Sequence, residues 1–555
     1  MTNRKAAITS SLSLFLPLSL TLLLSSPMLS PASAFAATTA SQANQPSTNS
    51  NETIKFTPRF PEATTTGESV RAAISEIDQL AQKQVNENVV PGMAIAIVYK
   101  DAVVFVKGYG VRSTATTDKI DPDTVFQLAS VSKSLAATAV ASLVGEGKIS
   151  WDSKICDLDP AFAMYDPWVT SQLTVRDLFA HRSGLPDHAG DPLEDLGFDR
   201  AQVLHRLRFQ KPDSSLRAHY AYTNFGLTEG AVAAARAYDT SWEDVCQSRL
   251  YAPLGMNSTS SRHSDFVART NKAQLHVLVD GKWVAKNHRD PDAQSPAGGA
   301  SASVNDLAKW MRMHLAGGKF EGKQIIAAAP LAEAYRPHMF THYSPITGLP
   351  EFYGLGFNVG YDREGRLHLS HSGGFAMGAA TNFQMIPSEN LGICVLTNAC
   401  PIGVAEGIAS TFSDLALYGK TTQNWIALYR QVFSDPSTLA MSKAHDYKLA
   451  PPTETAALKN AAYLGVYHND LAGDLEISER DGGLAMAVGP KKTVFALKHY
   501  DHDTFTYVVN SENTIGVTGL TFSIQAGGKA SSVVLENLNE FGQGEFMRVE
   551  RSPGK

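Results

Sequence analysis

Cysteine is scarce in this chain, with four in 555 residues, Cys156, Cys246, Cys394 and Cys400. None stands in Cys-x-x-Cys spacing, which excludes a thiol-ligated zinc site or dithiol redox centre as the chemistry of the chain. Spacing leaves open whether Cys156 pairs with Cys246 or all four stay free thiols. An excess of basic charge is also missing: 48 Lys and Arg stand against 54 Asp and Glu, a net charge of −6. Without a positive field, nucleic acid is excluded as a partner. A long apolar run is lacking too, since Leu12 to Leu24 is broken by Pro17 and several serines and falls short of the roughly 20 residues a bilayer span needs. Arg4 and Lys5 before that run and Ala34-Phe35-Ala36 after it instead have the pattern of a signal peptide over 1–36. No lipid-attachment cysteine lies nearby, so the expectation is export to the periplasm or medium, without stable membrane insertion after cleavage. There is no internal repeat, and nothing in the sequence speaks to oligomeric state.

What is present is enough apolar residue, 43%, for two or three cores. Residues 37–65 are rich in Ser, Thr, Asn and Gln and bury too little to offset ordering, so they are expected to be a disordered linker. Met93 to Val98 and Val103 to Tyr109 are two strands of a hairpin with a turn at Lys100-Asp101. Ser130 to Val144, apolar on nearly every face, is a helix surrounded by protein. About 150–290 is several helices and long loops, and strands resume near Tyr353 to Val359 and Leu391 to Leu396. Strand, helical insert, strand implies a mixed α/β body over 66–440 with an all-α lobe, the early hairpin and late strands sharing one sheet. A linker at 441–458, containing Pro451-Pro452, precedes short alternating runs in 459–555, including the turn Asp481-Gly482-Gly483; these predict a small all-β barrel or sandwich.

Ser130-Val-Ser-Lys133 at the start of the buried helix places serine and lysine three apart on one face. A lysine held in a dry place next to free helix N–H groups loses its proton near neutral pH and can activate the serine. Tyr222-Thr-Asn224 supplies a phenol and an amide, and His371-Ser-Gly373-Gly374 an imidazole beside small residues that admit a substrate backbone. Each pattern alone is weak, because Ser552 to Lys555, Tyr467-His-Asn469 and His188-Ala-Gly190 match the same spacings.

The order Ser-x-x-Lys, Tyr-x-Asn, His-x-Gly resembles the serine β-lactamase-like and penicillin-binding-protein superfamily. The flanks Phe126 to Lys133, Leu173 to Pro186, Pro253-Leu-Gly-Met256 and Ala297-Gly-Gly299 resemble its branch of class C β-lactamases, D-aminopeptidases, D,D-carboxypeptidases and esterases. That resemblance implies an antiparallel sheet flanked by helices. It implies Ser130, Lys133 and Tyr222 as catalytic residues, and Asn224, His371 and Gly373 as substrate-binding. The oxyanion would be held by the N–H groups of Ser130 and Gly374. No cofactor or metal is implied, and the partner would be a small-molecule or peptide substrate. His371 replaces the usual third-element lysine, so a charge for a substrate carboxylate would exist only at low pH. Class A's deacylating glutamate has no counterpart, which leaves water activation to Tyr222 and Lys133. Asp177 and His181 are expected to fix a turn. Tyr463 to Tyr467 with Gly482 to Leu484 resembles a lipocalin-like domain that would either cover the cleft or act as a spacer. The expected function is hydrolysis of small peptides, amino-acid amides or esters through an acyl-serine; the alternatives are a β-lactamase and a penicillin-binding receptor without turnover.

Overall fold

Lys100 and Asp101 both adopt left-handed backbone, φ 48° and 61°. This two-residue turn has the twist that antiparallel strands require, and it joins β1 (Gly92–Tyr99) to β2 (Ala102–Gly110). The computed structural model describes residues 63–434 and 445–549, apart from 452 and 514. The expected signal peptide, nearly all of the 37–65 linker, residues 441–444 and the Ser552 to Lys555 match lie outside the described residues. At the end of that linker, Thr64 and Thr65 donate backbone N–H groups to the buried carboxylate of Glu389, at 2.9 Å each.

Six further strands, β3 (Met339–Tyr343), β4 (Pro350–Tyr353), β5 (Asn358–Tyr361), β6 (Leu367–Phe375), β7 (Ala379–Ile386) and β8 (Leu391–Thr397), complete an antiparallel sheet. Its order is β2-β1-β8-β7-β6-β5-β4-β3, so the early hairpin does join the late strands. Both faces of β1 are buried, which explains its unbroken apolar run. Met93, Ile95 and Ile97 pack under α1 (Gly67–Asn86), while Ala94, Ala96 and Val98 face the opposite core. That core holds α2 (Ser132–Gly145), α3 (Asn224–Arg236) and α4 (Val304–Leu315). Trp310 of α4 stacks on Phe357 and meets Phe383 edge to face, and each of the two phenylalanines contributes about 1.5–3 kcal/mol by its burial. Helix α5 (Val404–Tyr418) joins α1 on the outer face.

Residues 150–290 are mostly helix and loop, but they are not all-α: Val277–Val279 and Lys282–Val284 form a small hairpin around Asp280 and Gly281, both at positive φ. All four cysteines are free.

Nine strands make a nearly closed C-terminal barrel: β9 (Gly465–Asn469), β10 (Gly473–Arg480), β11 (Gly483–Val488), β12 (Thr493–Ala496), β13 (Lys498–Asp501), β14 (Thr504–Asn510), β15 (Ile515–Ile524), β16 (Ala530–Leu535) and β17 (Glu545–Val549). The order is β12-β11-β10-β9-β17-β16-β15-β14-β13. Tyr463, Tyr467, Phe505 and Phe522 fill its middle, with ring centroids 4.8–6.0 Å apart. The barrel docks on the helical lobe through polar contacts: Arg206 donates to the carbonyls of Asp470 and Leu471, and Gln543 bonds the Gln210 side chain.

Candidate active site

The chain reaches the site through a left-handed residue. Ala129 has φ 47°, strained for a residue with a Cβ, and it opens a single 3-10 turn, Ala129–Val131. The expected helix start is therefore divided: Ser130 lies in this turn, and the α-helix begins at Ser132. Lys133 follows one turn later, fully buried.

The Lys133 amine is 3.0 Å from Ser130 Oγ, 2.6 Å from Asn224 Oδ1 and 3.0 Å from the Ala297 carbonyl. Both of the latter oxygens can only accept, so they take two N–H donors. A neutral amine has two donors and one lone pair, and that lone pair is left for the Ser130 hydroxyl proton. Burial, only partly offset by Asp191, pushes the Lys133 ammonium down to about 7, the range a general base at neutral pH requires. Tyr222 donates its phenol to Ser130 Oγ at 2.9 Å. Burial raises that phenol, so it remains a proton donor. The Lys133 amine also lies 4.5 Å from the centre of the Tyr222 ring. Ser130, Lys133 and Tyr222 thus form one continuous hydrogen-bonded chain.

Asn224 is turned toward the lysine. Its Oδ1 is used by Lys133, and its Nδ2 donates to Asp191 Oδ2 at 2.7 Å, leaving one amide N–H for a substrate. Asp191 also meets His188 Nδ1 at 2.8 Å, and hydrogen bonding to that carboxylate lifts the His188 imidazole, against burial, to about 9. Sequence reasoning missed Asp191 and treated His188-Ala-Gly190 only as a chance match to the third element. His188 in fact supports the site from behind, its ring 5.6 Å from that of Tyr222. Ala297-Gly-Gly299 was noticed as a family marker, but a backbone carbonyl carries no side-chain signal of the bond it makes.

His371 does not behave as expected at low pH. Its Nδ1 sits 2.6 Å from the Ser372 carbonyl, which can only accept, so Nδ1 carries the hydrogen and Nε2 accepts from the Tyr353 hydroxyl at 2.9 Å. Burial and the nearby Lys133 push the ring down to about 3. Both nitrogens are spent and the imidazole stays neutral, which corrects the expectation that it gains a charge for a substrate carboxylate at lower pH.

Gly373 faces the nucleophile turn across a narrow gap, while Gly374 faces Pro401. A Cβ on Gly373 would fall 2.2 Å from the Leu128 carbonyl and 2.9 Å from the Ser130 nitrogen. Strand β6 pairs with β5 only as far as Ser370, so its edge from His371 to Phe375 lacks a strand partner on that side and can accept an extended substrate. Asp177 and His181 hold structure: Asp177 caps Val175–Phe179 and pairs with Arg182 and Arg217. His181, at φ 54°, accepts the Thr223 N–H and packs 4.5 Å from the Tyr222 ring. Tyr467 of the decoy Tyr-x-Asn lies in the barrel core, bonded to the Tyr463 carbonyl.

A family model described as Beta-lactamase matches residues 77–418, and one described as a domain of unknown function (DUF3471) matches residues 449–550. The chain is 24% identical over 476 residues to an unguisins hydrolase of Aspergillus violaceofuscus, covering 79% of this chain and 83% of that protein. It is 25% identical over 394 residues to penicillin-binding protein 4 of Amycolatopsis lactamdurans, covering 69% and 94%. Among solved structures, the octameric penicillin-binding protein homologue from Pyrococcus abyssi shares the fold, with TM-score 0.56, 19% identity, and 86% of this chain and 100% of that one covered. A match over more than half of the chain, together with this shared fold, establishes that the protein belongs to the Beta-lactamase family of serine-hydrolase-like proteins.

Proposed function

We propose that the protein is an exported serine hydrolase that acts on small peptides, amino-acid amides or esters through an acyl-Ser130 intermediate. The observation that carries this reading is the chain Tyr222 OH to Ser130 Oγ to Lys133 Nζ, at 2.9 and 3.0 Å, in a buried site. Lys133 takes the hydroxyl proton as Ser130 Oγ bonds the substrate carbonyl carbon. The backbone N–H groups of Ser130 and Gly374 hold the oxyanion. As the bond to the leaving group breaks, Tyr222 protonates the departing atom and recovers its proton from Lys133. The neutral amine then activates water to release the acid. Asn224 and the Gly373-Gly374 edge align the substrate.

Amides and esters are preferred over lactams because the cations around the cleft are engaged. His371 is neutral, and Arg289 is paired with Glu194 at 2.6 Å, so neither offers a free charge to a penicillin carboxylate. The likeness to a hydrolase of unguisins and to a penicillin-binding protein is consistent with peptide-like substrates. A screen of D- and L-amino-acid amides, short esters and nitrocefin, with wild type and Ser130→Ala in parallel, tests the reading. Turnover of amides or esters that disappears in the variant, with nitrocefin slow, is the expected pattern. Activity that survives Ser130→Ala places the chemistry elsewhere.

A further inference from the structure

The turn that follows β14 of the barrel, Ser511 to Asn513, reaches into the catalytic body beside the substrate edge. Glu512 accepts the backbone N–H groups of Ala376 and Met377, at 2.6 and 3.3 Å, the two donors that follow β6. On either side of it, Ser511 Oγ and the Asn513 N–H donate to Asp195 at 2.7 and 3.1 Å, and Asn513 Nδ2 donates to the Asp191 carbonyl at 3.2 Å. The turn therefore bridges the end of the substrate edge and the short helix Asp191–Asp195, whose Asp191 holds Asn224. Arg289, over the Phe375 ring at 5.2 Å, lies at this same end. Burial among these groups lifts the Glu512 carboxyl to about 7 and that of Asp195 to about 6.

The direction of the substrate follows from Tyr222. Its phenol protonates the leaving group, and its ring lies 6.4 Å from His371, so the leaving group occupies the His371 end of the edge. The acyl group must run the other way, past Gly374 toward Phe375, Ala376 and Met377.

Resting on the serine-hydrolase reading, we propose that Glu512 and its turn set the acyl-chain length the enzyme accepts. The carboxylate ties the turn to the two N–H groups at the end of β6, and the turn closes that end of the cleft against a longer acyl chain. The barrel is thereby a specificity element of the catalytic site.

The test compares kcat/KM for p-nitrophenyl acetate and p-nitrophenyl octanoate in wild type, Glu512→Gln, Glu512→Ala and Asn513→Ala, with Ser130→Ala as control and thermal unfolding to verify folding. The octanoate-to-acetate ratio rises at least tenfold in Glu512→Ala, rises less in Asn513→Ala, which retains the Glu512 bonds, and stays near wild type in Glu512→Gln, whose amide keeps the plug in place. An unchanged ratio in both folded alanine variants overturns the proposal; should Glu512→Ala fail to fold, the ratio in Asn513→Ala decides alone. Wild type that hydrolyses neither ester in a Ser130-dependent way overturns the serine-hydrolase reading itself, and the proposal with it.

Discussion

Replacing Lys133 by methionine lowers the rate of enzyme acylation about 10²–10⁴-fold, the usual contribution of a general base, while Ser130 and Tyr222 remain in place. The same amine sets the pH dependence. Its folded-state value is lowered from 10.5 to about 7, so the fraction with a free lone pair grows as pH rises through 7. Below that point acylation falls tenfold per pH unit, and above it the rate levels off. Lys133→Arg is slow at every pH, because a guanidinium keeps its proton throughout the working range. Stopped-flow release of p-nitrophenol between pH 5 and 9 measures all three enzymes. A wild-type profile that is flat across pH 7, or one shared by Lys133→Arg, removes Lys133 as the base.

Gly373→Ala has the second large effect, and it acts through backbone rather than through a reacting group. The new methyl meets the Leu128 carbonyl at 2.2 Å and the Ser130 nitrogen at 2.9 Å, and neither can swing aside as a flexible side chain could. Strand β6 must therefore retreat from the nucleophile turn and carry the Gly374 N–H out of line with that of Ser130. Losing one oxyanion donor costs about 10²–10³-fold in kcat. The substitution is expected to lower kcat by that amount with a small change in KM, since the ground-state carbonyl depends on the oxyanion hole less than the tetrahedral state does. A variant with wild-type kcat would mean that the close approach of β6 has no catalytic purpose.

Much of this was legible from residue pattern. Met93 to Val98 betrayed a strand buried on both faces, and Asp481-Gly482 betrayed a hairpin through its left-handed turn, φ 52° and 79°. Ser130, Lys133 and Tyr222 were legible because their chemistry needs particular side chains in a particular order. The parts that escaped depend on groups with no local signature. Asp191 is one aspartate among many until the fold brings it to Asn224, and the Ala297 carbonyl looks like any other in sequence. The charge of His371 was misread for the same reason: the Tyr353 hydroxyl and the Ser372 carbonyl that consume its nitrogens are a matter of burial and rotamer. Strands β9, β13, β15 and β17 of the barrel carry no alternating run that the sequence reading picks out, β15 because Gly516 and Gly519 interrupt its apolar alternation. The Glu512 contacts join residues more than 130 positions apart, beyond the reach of any periodicity.

The most direct measurement is to quench the reaction with p-nitrophenyl acetate during turnover and map the acyl group by peptide mass spectrometry. One acetyl group on Ser130, absent in Ser130→Ala and longer-lived below pH 7 where Lys133 is protonated and cannot activate water, is the expected result. Turnover with no adduct on Ser130, or with an adduct at another residue, would contradict covalent catalysis by this serine.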